Sequence, residues 1–178
     1  MLQNNNEKKK NNPRSSDKSE KRDEFDQKIV DLARVTRVMA GGKRMKFRAC
    51  IVIGDHKGKV GFGIAKGEDV SIAINKATNK ARKKIIKIKT KNDTIPFEIR
   101  KKFKAAKIMI KPAPKGTGIK AGGAVRIILE LSGIQNVVGK ILGTNNKINN
   151  VQATMLALST LTDFHEQKAA LGRDMDEK

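Results

Sequence analysis

Two groups of residues in this chain have types and spacings that chemistry could use, and the first is the glycine-rich run from Lys111 to Gly123. Glycine loops cradle nucleotide phosphates because an amide with no side chain beside it can approach an anion closely. Gly116-Thr117-Gly118 begins like a dinucleotide fingerprint, but the third glycine position falls on Ala121. Counted from Gly118, the interval to Gly123 fits a P-loop, yet Ala124 stands where that loop needs lysine and Val125 where it needs a hydroxyl. Both patterns fail at a residue type that their mechanics require. Two readings remain. In one, Lys111, Lys115, Lys120 and Arg126 supply charge while the glycines let the backbone approach a phosphate ridge. In the other, the run is a tight structural loop flanked by surface lysines.

Other reactive residue types are scattered. Cys50 is the only cysteine, so no internal disulfide forms, and its apolar setting (Ala49-Cys50-Ile51-Val52-Ile53) predicts a buried thiol. His56 and His165 lie far apart in sequence, and no ligand-spaced cluster accompanies them; no metal site and no cofactor are expected. No Ser or Cys has a His and a carboxylate near it in sequence, and Glu98 and Glu130 read as ion-pair acids. The expectation is a protein that is not an enzyme.

The second group is the bases. Between residues 28 and 147 the chain carries 29 Lys and Arg against seven Asp and Glu, a net +22. The first 27 residues stand at +1 and the last 31 at −2, so the excess lies on the part with foldable patterning. A compact surface that positive repels itself unless a polyanion neutralises it. Nucleic acid does so, because each phosphate matched by Lys or Arg releases condensed counterions. Trp and Tyr are absent, which removes most of the stacking platform of sequence-reading RNA modules and leaves recognition of phosphate and shape. No apolar run approaches the roughly 18–20 residues that span a bilayer. MLQNNNEKKKNN has no apolar segment after its charges, so it is not a secretory signal. The reading is a soluble, intracellular protein.

The elements that would position these bases follow from patterning. Residues 1–27 are Asn, Lys, Ser, Asp and Glu with hardly any apolar content, and predict a disordered arm. Residues 29–38, 47–53 and 59–64 are β-branched runs separated by Gly41-Gly42 and by a Gly54-Asp55-His56-Lys57-Gly58 turn. They predict an antiparallel three-stranded meander with basic loops at 40–46 and 55–59. Asp69 can cap a helix whose apolar stripe is Val70, Ala73, Ala77, Ala81, Ile85 and Ile88, with Lys76, Lys80, Lys83, Lys84 and Lys87 on the adjacent face. Asn92-Asp93 reads as a linker. Beyond it, strands are predicted at 94–100 and 105–111, joined by Lys101-Lys102-Phe103-Lys104. The glycine run predicts neither strand nor helix. A short helix at 124–131, a strand at 137–142 and a helix from 148 to about 161, capped by Asn145 or Asn146, complete the pattern, and the chain frays after Thr162.

Three motifs in series carry a resemblance. They are Gly42-Lys43-x3-Phe47 with Ile51-Val52-Ile53-Gly54-Asp55-x2-Gly58-Lys59-Val60-Gly61-Phe62-Gly63; Lys111-Pro112-Ala113-Pro114-x-Gly116-Thr117-Gly118-Ile119-x-Ala121-Gly122-Gly123-Ala124-Val125-Arg126; and Gly143-Thr144-x-Asn146 with Ile148-Asn149-x-Val151-x-Ala153-Thr154. Across residues 28–163 the chain closely resembles the bacterial-type fifth protein of the small ribosomal subunit. The resemblance implies an α+β fold of two small domains. The first is a three-stranded antiparallel sheet plus helix, like a double-stranded-RNA-binding domain without its leading helix. The second is a small two-layer α/β domain with a left-handed crossover. The implied partners are small-subunit rRNA, neighbouring ribosomal proteins four and eight, and mRNA at its entrance, with an influence on decoding accuracy. By position, Thr36, Arg37, Gly42 and Lys43 fall in the loop that the family places near the spectinomycin site, and Gly118 and Arg126 fall at its interface with protein four. Five departures stand out: Phe97 for a usual histidine, Ile64 for a frequent tyrosine, Lys101 and Lys104 for glycines, and Lys147 for a helix-starting proline.

Combined, the residues and the resemblance predict a ribosomal RNA-binding protein divided into an arm (1–27), a first domain (28–91), a second domain (92–163) and a polar tail (164–178). The candidate RNA-binding set is Arg34, Thr36, Arg37, Gly41, Gly42, Lys43, Arg44, Lys46, Lys57, Lys59, Lys66, Lys111, Lys115, Lys120 and Asn146; the candidate protein interface is Gly118 and Arg126. The alternatives are a free RNA chaperone or nucleic-acid-packaging protein and, from a different class, a nucleotide-using enzyme, because the family's second-domain fold is shared with some small-molecule kinases.

Overall fold

The computed structural model describes residues 25–88, 90 and 93–173, with side chains as far as Leu161. It is an α+β protein of two four-stranded sheets and three helices. The first sheet runs β1 (Asp26–Met39), β2 (Gly42–Gly54), β3 (Lys59–Gly67) and β4 (Ile85–Lys87), each antiparallel to the one before, with α1 (Val70–Arg82) between the last two. The second contains β5 (Ile99–Phe103), β6 (Ala106–Pro112), β7 (Ile119–Lys120) and β8 (Val137–Ile141) in the order β5-β6-β8-β7. There β7 is parallel to β8, and α2 (Gly123–Leu131) connects them. The chain ends in α3 (Lys147–Arg173). No helix among the described residues is long and apolar enough to cross a membrane.

The apolar run in β2 is continuous because both of its faces are buried. Ala49, Ile51 and Ile53 pack against α1 through Ala73, Ala77 and Ala81, the predicted stripe. Cys50 and Val52 face the other way, into a second core that they share with Ile108, Ile110, Val125, Leu129, Val151 and Leu158. The two units are therefore welded by a common core as well as by their connecting chain. Within the second unit, the Thr94 hydroxyl donates to the Asn136 carbonyl at 2.6 Å and the Ala113 N–H donates to that hydroxyl at 3.3 Å. Asp93, in the expected linker, accepts from the N–H groups of Gln135 and Asn136.

Several expectations are corrected. β1 begins at Asp26, and Phe25 packs on the α1-side core, so the fold starts inside the segment assigned to the arm; residues 1–24 lie outside the described residues. The first sheet has four strands. α1 stops at Arg82, and Ile85 and Ile86 form β4 against Gly61 and Val60. Their positions continue the helical rhythm, but consecutive β-branched residues suit the free edge of β3 better than another helical turn. Asp69 occupies the N-cap position without a regular side-chain N-cap bond; its carboxylate instead accepts from the Ser71 hydroxyl. That hydroxyl first, and the Val70 N–H second, hold the Asp69 carboxyl below its usual range. Lys101 and Lys102 lie within β5, not in a connection. The glycine run contains a two-residue strand, β7, held in place by β8. The backbone of α3 continues helical to Arg173, past the predicted end; residues 174–178 lie outside the described residues.

Lys104, one of the departures from the family pattern, keeps a glycine-like backbone at φ 52° in the turn between β5 and β6. A side chain in the left-handed region costs on the order of 1 kcal/mol. The Lys104 ammonium recovers part of that cost 5.7 Å from the centre of the Phe103 ring. Lys104→Gly is therefore expected to stabilise the protein by about 0.5–1 kcal/mol, a rise of roughly 1–4 °C in Tm by calorimetry.

Cys50 is fully buried, and burial first, then the Asp31 charge, pushes its thiol up to about 11. Its folded-state value lies above the ordinary 9.0, so its contribution to stability is complete below pH 9 and disappears as pH rises towards 11. Native protein at pH 8 is expected to resist alkylation at Cys50 until denaturant is added. Rapid labelling of the folded protein would contradict the burial.

Candidate nucleic-acid interface

The predicted loop at 40–46 is the outer half of a ribbon. β3 pairs with β2 only from Phe47 inward, so five further pairs, from Val35↔Lys46 to Met39↔Gly42, join β1 and β2 alone. Residues 36–46 are exposed throughout. Side chains directly opposite one another share a face. One face thus carries Val35 with Lys46, Arg37 with Arg44, and Met39; the other carries Arg34 with Phe47, Thr36 with Met45, and Val38 with Lys43. Lys66 of β3 joins Thr36, Arg37, Arg44 and Lys46 around a cleft of about 380 Å³. Ala40 and Gly41 form the turn at the tip, and Gly42, which opens β2 beside it, has φ 121°.

Carboxylate placement divides the bases into two sets. Arg48 and Lys147 both pair with Asp31, at 3.2 and 3.6 Å. Lys28 pairs with Glu130 at 3.1 Å, and Arg100 and Lys111 with Glu98 at 2.7 and 3.1 Å. The hydrogen bond from Arg100, then that from Lys111, holds Glu98 below the usual carboxylate range. As ion-pair acids, Glu98 and Glu130 do what their sequence settings predict. In contrast, Arg34, Arg37, Lys43, Arg44, Lys46 and Lys66 have no carboxylate partner among the described residues. Arg37 sits directly across from Arg44, an arrangement that destabilises an isolated ribbon by about 0.2–1 kcal/mol.

The remaining candidates are dispersed. Lys57 and Lys59 are exposed at the opposite end of β2, roughly 40 Å along the strand from the ribbon tip. Lys59 also lies 4.0 Å from Asp55. Their turn is a joint between the units. His56 and Gly58 donate backbone N–H groups to the Leu131 and Ser132 carbonyls at the end of α2, at 3.0 and 3.1 Å. The His56 ring bridges the Glu130 carbonyl (3.0 Å) and the Asp26 carboxylate (3.5 Å). Gly133 completes the joint at φ 78°, where a Cβ would stand 2.0 Å from the His56 carbonyl oxygen. This joint needs glycine at position 133, just beyond the helix predicted at 124–131.

In the glycine run, Lys115 is exposed in the turn and Lys120 is exposed on β7. Lys120 lines a cleft of about 410 Å³ with Gly122, Gly139 and Lys140, and Lys140 is a base that sequence reasoning missed. Its signal was an exposed lysine in an otherwise apolar strand. Gly118, at φ 71°, donates its N–H to the Asn136 side chain at 3.2 Å, and Arg126 is exposed on the first turn of α2. Asn146 has structural work: its Oδ1 accepts from the Ile148 N–H at 3.1 Å and caps α3.

A basic β-ribbon, its bases without carboxylate partners among the described residues, thus projects from a two-sheet α+β body. Comparison with known proteins narrows the class. The family model described as "Ribosomal protein S5, N-terminal domain" matches residues 25–89, and "Ribosomal protein S5, C-terminal domain" matches residues 101–171. The chain belongs to the ribosomal protein S5 family. It is 50% identical over 137 residues to small ribosomal subunit protein uS5 of Lawsonia intracellularis, an alignment covering 77% of this chain and 84% of that protein. It is 46% identical over 140 residues to uS5 of Campylobacter jejuni, covering 79% and 95%. To uS5c of Spinacia oleracea it is 45% identical over 165 residues, covering 92% of this chain and 54% of that longer protein. The chain thus spans about half the length of the spinach relative and most of the bacterial ones.

Proposed function

We propose that this chain is a structural, RNA-binding component of the small ribosomal subunit, cytoplasmic within the ribosome, that performs no chemistry of its own. The observation that carries this reading is the ribbon: exposed bases without carboxylate partners among the described residues, two of them placed face to face. Such a ribbon is at ease only when phosphates lie between its cations. The first unit then acts in the manner of a double-stranded-RNA-binding domain, meeting rRNA by shape and phosphate. The second, with the family's left-handed crossover, presents Lys115, Lys120 and the Gly118–Arg126 surface to rRNA and to protein four. Protein eight is the other neighbour. A position near the mRNA entrance and an effect on decoding accuracy complete the proposal.

Salt separates this from a free RNA chaperone. Tagged protein that stays with small subunits through a high-salt wash supports the ribosomal reading, whereas release at modest salt supports the chaperone. A nucleotide-using enzyme predicts nucleotide-dependent protection of residues 116–123 from hydrogen exchange; no such protection is expected.

A further inference from the structure

Where the edge of the first sheet meets α3, a cleft of about 400 Å³ opens to solvent. Its walls are Phe62, Ile85 and Ile86 from the sheet edge, Phe103 at the end of β5, and Met155 and Leu156 of α3. Along its described side chains α3 is buried on most sides, with Met155 and Ala157 at 5% and 0% exposure. Leu156 between them is 45% exposed and lies in this cleft. Scattered surface leucines mean little, but one continuous with an apolar cleft marks a contact surface. An adjoining cleft shares Phe62, Lys84 and Gln152 and adds Lys80 and Lys83. The Lys80 ammonium donates to the Ile64 carbonyl at 3.3 Å, while Lys83 and Lys84 have no carboxylate partner among the described residues. The site therefore combines an apolar floor with a cationic rim.

Residues 1–24 do not suit it, since their only large apolar residues are Met1 and Leu2 and the nearest carboxylate to these is Glu7. A nucleobase does not suit it either, because its edges require hydrogen-bonding partners, and the walls are hydrocarbon and phenyl groups with Gln152 and Ser159 only at the margin. We propose that this cleft docks a neighbouring protein of the assembled subunit, seating one large apolar side chain whose flanking carboxylates meet Lys83 and Lys84. The inference rests on the ribosomal reading, and failure to enter small subunits at all would count against that reading, not against the cleft.

The test is a photoreactive benzophenone side chain in place of Gln152, in chain assembled into small subunits, with the crosslinked species sequenced. The expected product is a peptide of another subunit protein with Asp or Glu within a few residues of Leu, Ile, Phe or Met. In the same background, Leu156→Asp is expected to lower the crosslink yield at least about tenfold, while Leu156→Met retains it. Lys83→Glu with Lys84→Glu, far out on the rim, is expected to lower it as well. Crosslinks to rRNA, to this chain or to a peptide without acidic residues would overturn the proposal, as would subunits that incorporate the chain and give no crosslink.

Discussion

Replacing Arg37 and Arg44 together by glutamine is expected to weaken binding to structured small-subunit rRNA by roughly a hundredfold or more, without lowering the stability of the free protein. The two effects have opposite signs for one reason. Each guanidinium is exposed, faces the other across the ribbon and has no carboxylate partner among the described residues. On RNA, each makes charge-assisted contacts of about 1.5–3 kcal/mol, and two such losses reach a hundredfold when about 1.4 kcal/mol is tenfold. In the free protein their proximity is repulsive, so the double variant gains about 0.2–1 kcal/mol and melts at the same temperature or slightly higher. Filter binding at fixed salt and calorimetry of the free chain read the two halves separately. Arg48→Gln is the contrasting case: it breaks the pair with Asp31 and leaves that carboxylate, 20% exposed, facing Lys147 alone. A loss of stability is expected from it before any specific loss of RNA.

Gly63→Ala is expected to be the most damaging methyl group that can be added to the first unit. On β3, Gly61, Gly63 and Gly67 share a face with Ala65, and this face meets Ala73, Ala77 and Ala81 of α1. With no side chain larger than a methyl between them, helix and strand approach until their backbones nearly touch. A Cβ on Gly63 would lie 2.0 Å from the Ala77 carbonyl oxygen and 2.7 Å from the Ala81 nitrogen. Neither atom can swing aside, because both belong to the helix backbone, so the helix itself must move off the sheet. Overpacking of this kind costs about 3 kcal/mol or more, a drop of roughly 6–12 °C in Tm. From a total near 5–15 kcal/mol, that is enough to reduce folded protein in the cell. Gly123→Ala is the control. No atom lies within 4 Å of a Cβ built there, and its φ is ordinary for any residue, so its stability should stay equal or rise by up to about 1 kcal/mol.

How much of this was legible in the sequence depended on whether a signal was local. The alanine stripe of α1, the burial of Cys50 and the Asn146 cap all have local causes, and the structure contains each of them. The three motifs led to the family that the comparisons show. The β2 half of the ribbon reads as a loop in sequence because residues 42–46 face solvent on both sides, so the period of two that betrays a half-buried strand is missing. β4 was absorbed into the helix because Ile85 and Ile88 fall at helical steps from Ala81. β7 was invisible because two residues between glycines form a strand only when β8 lies alongside. Nothing local announces that Gly54 and Gly133 meet backbone from the other unit so closely that a Cβ added there would stand 2.2 Å from the Leu131 oxygen and 2.0 Å from the His56 oxygen. Above all, counting bases did not distinguish Lys28, Arg48 and Lys147, tied to carboxylates across the fold, from Arg37, Lys43 and Arg44, which are not.

That distinction is best tested by amine acylation of the free chain and of the chain bound to small-subunit rRNA, with the reactivity of each lysine read by mass spectrometry. Lys43, Lys46 and Lys66 should react readily in the free protein and lose most of that reactivity on RNA, while Lys28 and Lys147, already held by Glu130 and Asp31, should change little. Protection confined to Lys28 and Lys147, or to the lysines of residues 1–24, with the ribbon still open to reagent, would contradict the account.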